Sequence, residues 1–373
     1  MKRKKLSRIV VRFFLILFVI LLLFVLGTWL CDLVKTDCEL ALLKEKGYYN
    51  PVSVGDYSLN VARFGNGQGG HTIVGLAGLG MSDFPVAMRR MTAQMERDNT
   101  VVFVDRAGYG LSDDTDEEMT LETIVKDYRT ALKNAAIEPP YILMAHSIGG
   151  VYATWWASRY PGELDAVVLI DGTPLTETVY YDKPDCPVTF EDRALAFLAK
   201  LGFSRYVLRG EHYLYPDGFS EEEQLLGDAL ELRSMGSLAP VSESGLRQRN
   251  ARTAFAGIVA NDIPKLYICS SWGAQTKDDL LEVNRWMNRQ IEKNCFDMSL
   301  RRTEFDDETA AAILNRMEDF RRTILEPYAG KMGNCRIVLL FGDHMIYEQK
   351  PDACGKIIMD FLDTIDSLST PAE

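Results

Sequence analysis

From Phe13 to Cys31 the chain reads FFLILFVILLLFVLGTWLC, nineteen residues without a charge. As a helix this run spans about 28 Å, close to the hydrocarbon thickness of a bilayer. Beyond it the pattern changes to short apolar runs separated by segments of helical periodicity. Leu33 to Gly47 predicts a helical stalk, and Pro51 to Val54 and Tyr57 to Phe64 read as strands around a Gly55-Asp56 turn. Thr72 to Leu76, Val101 to Asp105, Tyr141 to Met144 and Ala166 to Ile170 read as buried strands. Val86 to Arg97, Leu121 to Ala136 and the segment after Gly150 read as helices between them. Strands that are almost wholly apolar and alternate with helices predict a mostly parallel sheet covered on both faces.

After Thr173-Pro174 the pattern changes again. Leu175 to Asp262 mixes charges, Tyr and Met, and holds helix-like segments such as Glu191 to Leu201 and Glu221 to Leu232. It shows no strand alternation. Pro264 to Ser270 returns to a strand, Asp278 to Asn294 and Asp307 to Tyr328 are helical by periodicity, and Arg336 to Phe341 and Lys356 to Leu368 predict the last strand and last helix. The chain therefore divides into a basic flank and transmembrane signal anchor over 1–31, a stalk over 32–50, an α/β core over 51–174 and 263–373, and a helical cap over 175–262.

Charge sharpens this division. The formal net charge of −12 argues against a nucleic-acid partner, which would need basic surface. The first dozen residues run the other way, with Lys2, Arg3, Lys4, Lys5, Arg8 and Arg12 and no acid. A cleaved signal peptide competes with an uncleaved anchor; the length of the apolar run and the lack of a small-x-small site after it favour the anchor. The basic flank stays in the cytoplasm, which places everything after Asp32 on the far side of a single-pass cell-membrane protein. Seven cysteines show neither CxxC nor metal-ligand spacing, so no metal site is expected. Cys269 falls in a predicted strand and reads as a packed thiol.

The candidate chemistry centres on YILMAHSIGGVY, Tyr141 to Tyr152. Ser147 stands between a predicted strand and a predicted helix, with Ala145 two residues before and Gly149 two after. A serine so flanked fits a nucleophile elbow, in which the turn is too sharp for larger neighbours. The helix that follows points its N-terminus at the same spot and favours developing negative charge.

VVFVDRAGYGLSD, YILMAHSIGG, RYPGELDAVVLIDGTP and GDHMIYEQKPD occur in an order and spacing that resembles the α/β-hydrolase superfamily, in its esterase-type branch. The resemblance runs from about Pro51 to the end and implies an α/β-hydrolase fold with a helical cap. It implies Ser147 as nucleophile; the dehalogenase and epoxide-hydrolase branches carry Asp at that position. Of the four histidines, His146 lies inside the elbow, His71 precedes a strand and His212 lies in the insertion. His344, after the last predicted strand, holds the position of the family's base, although Asp343 stands where a glycine is usual. The acid stays open between Asp171, at the end of the Ala166 strand, and Asp278, at a helix start. Ile148 N–H and Leu79 N–H, the latter in Ala77-Gly78-Leu79, are the candidate oxyanion donors. Asp105 to Gly110 has a mainly structural role in the family.

These implications converge on a serine hydrolase of ester-type acyl substrates, small or lipid-like, that works through an acyl-enzyme and needs no cofactor. An acyltransferase using the same residues, or a binding protein on the same scaffold, are the rival expectations.

Overall fold

The computed structural model describes residues 2–65, 70–177, 184–208, 218–293, 301–302 and 304–369. Residues 66–69 of the NGQGG loop, His212, Cys295 and the last four residues therefore lie outside the described part. Eight strands form one sheet: β1 Pro51–Ser53, β2 Ser58–Phe64, β3 Thr72–Leu76, β4 Thr100–Val104, β5 Tyr141–His146, β6 Leu164–Ile170, β7 Lys265–Cys269 and β8 Cys335–Leu339. Their spatial order is β1-β2-β4-β3-β5-β6-β7-β8. The pairs β1–β2 and β2–β4 are antiparallel, and every pair from β4 through β3 to β8 is parallel. This is the α/β-hydrolase fold expected from the sequence.

The helices are α1 Lys2–Glu45, α2 Phe84–Thr92, α3 Leu121–Asn134, α4 Gly149–Arg159, α5 Phe190–Leu198, α6 Ser204–Leu208 and α7 Glu221–Ser234. They continue with α8 Ala239–Ala256, α9 Lys277–Lys293, α10 Asp307–Phe320, α11 Glu326–Met332, α12 Ile346–Gln349 and α13 Pro351–Ser369. Residues alternate between the two sheet faces, and both faces are covered, which is why β5 is apolar at nearly every position. Leu143 and Ala145 join a core with α3 and α4, while Ile142 and Met144 join a second core with α2 and α13.

Between β6 and β7 the described residues hold helices α5 to α8 and no strand. In this insert, α5 and α7 each start with a reciprocal capping box, Thr189 with Asp192 and Ser220 with Glu223, so their first turns are satisfied locally. The single helix read over Asp307 to Tyr328 is interrupted: a wider turn, Arg321–Leu325, separates α10 from α11, just before Pro327. Proline lacks an N–H and crowds the preceding turn.

The stalk is not a separate element. α1 continues through it without a break, and its last turn buries Leu43 in the second core. Its apolar part is long enough to cross a membrane and is compatible with a single-pass anchor.

Candidate active site

The carboxyl ends of β5, β6, β7 and β8 lie side by side. After β5, Ser147 takes a left-handed backbone conformation, φ +52°, which a residue with a Cβ rarely adopts. Neighbouring backbone holds it there: Thr173 N and Gly150 N donate to the Ser147 carbonyl at 2.8 and 3.0 Å. At Gly149 a Cβ would stand 2.4 Å from the Leu76 carbonyl oxygen, so only glycine fits where α4 passes the end of β3.

After β6, Asp171 is also left-handed, φ +42°. Its carboxylate accepts from Ser270 N at 2.8 Å, Ser271 N at 3.0 Å and the Ser271 hydroxyl at 2.5 Å, all beyond the end of β7. His344, beyond β8, donates from Nδ1 to Asp171 Oδ2 at 2.7 Å. Burial works to raise the Asp171 pKa, but the hydrogen bonds from His344, Ser271 and Ser270 and the nearby His344 charge outweigh it and hold the carboxyl below its usual value. Asp171 is 7% exposed and the His344 side chain 43%, so one edge of the imidazole is fixed while the rest stays accessible. Ser147 Oγ and His344 Nε2 form no direct hydrogen bond.

His146 is wholly buried. Its ring lies 4.5 Å from that of His344, and its Nε2 is 3.0 Å from the His344 carbonyl oxygen. Burial, and the adjacent His344, push its pKa down to about 3. The neutral ring therefore donates Nε2–H to that carbonyl and pins the loop that presents His344. Asp278 is exposed in the first turn of α9, and His344 Nδ1 is taken by Asp171.

A cavity of about 210 Å³ runs past Ser147. Leu79, Ile148, Val151 and Leu175 make its wall apolar, and α8 covers one side with Arg247, Gln248 and Ala251. Among the described residues, no protein acceptor takes the Leu79 or Ile148 N–H. Arg106 sets the first of these donors: its guanidinium donates to the Ala77 and Gly78 carbonyls at 2.7 Å each. In a trans peptide the C=O and the following N–H point in opposite directions, so a Gly78 carbonyl turned to Arg106 turns Leu79 N–H away from it. Arg106 is in turn held by Glu243 of α8, whose other oxygen accepts from Tyr152 at 2.5 Å.

Arg106, Glu243, His146 and Ser271 escaped the sequence reading as site residues. Arg106 carried a usable signal, since a charged residue between an apolar strand and a Gly-rich loop needs a buried partner; the other three carried none.

The model of the alpha/beta hydrolase family matches residues 70–354. The chain belongs to that family. A Bacillus subtilis (strain 168) protein, YbdG, described as uncharacterized, is 26% identical over 328 residues, covering 87% of this chain and 88% of YbdG. Among solved structures, haloalkane dehalogenase DbeA from Bradyrhizobium elkani USDA94 superposes with a TM-score of 0.53 at 15% identity, covering 86% of this chain and 99% of that one. A proposed lipase, lip1, from Acinetobacter baumannii AYE gives 0.54 at 18% identity, covering 88% and 97%. At such identities the structural likeness speaks for the fold alone. Family membership and fold agree with the sheet order and with the gathering of Ser147, Asp171 and His344 at one end of the strands.

Proposed function

We propose that this chain is a membrane-anchored serine hydrolase acting on ester-type acyl substrates. Ser147 Oγ attacks the acyl carbonyl. His344 Nε2 takes the serine proton, delivers it to the leaving group, and then activates the water that frees the acyl-enzyme. Asp171 holds Nδ1–H and stabilises the imidazolium. Leu79 and Ile148 N–H receive the developing oxyanion.

The observation that carries this reading is the 2.7 Å contact between His344 Nδ1 and Asp171, on an imidazole otherwise open and at the same sheet end as Ser147. It favours Asp171 over Asp278 as the acid. The missing Ser147–His344 hydrogen bond is compatible with the mechanism, because such bonds tighten when substrate is bound. Similarity to a haloalkane dehalogenase does not extend the proposal to that chemistry: a serine, not a carboxylate, stands at the elbow. The basic N-terminal flank supports a cytoplasmic N-terminus and a hydrolase domain outside, with residues 175–262 as the cap over the cavity.

A fluorophosphonate probe tests the proposal directly. It should label the folded full-length protein, fail on Ser147→Ala and react far more slowly with His344→Ala. Folded wild-type protein that stays unlabelled would sink it.

A further inference from the structure

The insert is bound to α1 at the level of the apolar run. Phe24 packs on Phe203 and Tyr206 with ring centroids 6.2 Å apart in both cases, and the Tyr206 hydroxyl lies 3.1 Å from Thr28 Oγ1. Close approach is built into the backbone. Gly202, φ +85°, sits where a Cβ would stand 2.6 Å from Asp32 Cβ and 3.1 Å from the Thr28 carbonyl oxygen. Just past the apolar run, Arg205 donates to Asp32 at 2.6 Å, to Thr36 at 3.0 Å and to Glu39 at 2.7 and 2.9 Å. The polar ties thus gather where α1 becomes charged, and the aromatic contacts gather where it is apolar.

Depth follows from this. Phe24 lies seven residues before Cys31, about 10 Å inside the end of the apolar run. Whatever packs on Phe24 shares its depth. The docking is fixed, because α1 also ends in the core through Leu43, fully buried.

The neighbouring helix α5 carries an apolar face that is exposed among the described residues. Phe190 is 87% exposed and Phe197 63%, with Leu198 also exposed, while Ala196 is buried. Phe190, Phe197 and Leu198 fall on one side of the helix by its 100° spacing, and Ala196 on the other. Large exposed side chains grouped in this way mark a surface made for a partner. The turn after α5 packs on α1 through Phe203, where Leu23, Phe24 and Leu26 of α1 are themselves exposed, so lipid is the partner that would cover both.

We propose that α5 and the following turn, Ala199–Phe203, lie in the acyl boundary of a phospholipid bilayer beside α1, so that the insert is a second, monotopic membrane contact. This rests on the reading of α1 as a transmembrane anchor. The partner is the acyl region of the bilayer, not a second copy of the chain.

Photocrosslinking of the full-length chain in phosphatidylcholine–phosphatidylglycerol nanodiscs tests it, with p-benzoylphenylalanine replacing Phe18, Phe197 or Tyr160 one at a time. Tyr160 lies at the far end of the sheet, before β6. Lipid adducts at positions 18 and 197, and none at 160, are the expected result. Adduct at 18 with none at 197 overturns the inference and leaves the anchor standing, as does a protein–protein crosslink at 197. Adduct at 197 with none at 18 overturns the inference too, since the depth of α5 is set by α1. To separate contact from misfolding, Phe190→Asp with Phe197→p-benzoylphenylalanine should keep fluorophosphonate labelling of Ser147 at the level of the single variant and lose lipid adduct; retained adduct also overturns the inference.

Discussion

Arg106 Nε lies 3.0 Å from Glu243 Oε2, and both side chains are almost wholly shielded from water. The pair joins the insert to the loop that carries Leu79, because the same guanidinium grips the Ala77 and Gly78 carbonyls. Removing one partner of a buried pair leaves an uncompensated charge and costs about 3–5 kcal/mol. Glu243→Ala should lose stability on that scale in denaturant unfolding. Glu243→Gln should lose less, because it keeps an acceptor for Arg106.

Asp171→Asn should lower turnover of a p-nitrophenyl ester on the order of 10⁴-fold, because the amide cannot hold His344 in the required tautomer. The fold should survive, as read by circular dichroism. Asp278→Asn, at an exposed helix start, should leave the rate within about twofold. The reverse pattern would transfer the acid role to Asp278.

Glu231 on α7 accepts from Ser82 N at 2.7 Å and Asp83 N at 3.1 Å. Burial, and the Asp83 carboxyl beside it, push its pKa up to about 8. A raised folded pKa gives stability that is complete below the unfolded value, about 4.3, and lost as pH rises through about 8. Between those limits wild type should lose up to about 1.4 kcal/mol per pH unit relative to Glu231→Gln. Melting temperatures of the two proteins measured across this window should diverge in the variant's favour as pH rises.

Gln248 is buried against the cavity, and among the described residues its Oε1 has no hydrogen-bond partner. A buried acceptor left unsatisfied costs about 1–3 kcal/mol. Gln248→Leu removes that cost and should be at least as stable as wild type in thermal unfolding. A clear loss of stability would show that the amide has a structural partner.

Gly149→Ala should destabilise by about 1–3 kcal/mol, since its methyl would press on the backbone oxygens of Leu76 and Ala77, at 2.4 and 3.0 Å, which cannot swing aside. Fluorophosphonate labelling should fall with it if the turn around Ser147 opens. Full stability in the variant would contradict the close approach of α4 and β3.

The amino-acid sequence by itself determined the features that are local. Nineteen uncharged residues announce a membrane-length helix, apolar runs between helical segments announce a parallel sheet, and a serine between small residues announces a sharp turn. Each depends only on neighbours in the chain. Tertiary structure decided what depends on distant residues meeting. Asp171 and His344 stand 173 residues apart and pair because β6, β7 and β8 lie side by side. α8 had no apolar stripe to betray it, because Glu243, Gln248 and Asn250 are polar residues turned inward. Arg106 looked like loop punctuation until Glu243 arrived beside it. A local pattern fixes backbone shape through propensity and burial period, whereas a polar side chain acquires its role from the partner that burial forces it to find.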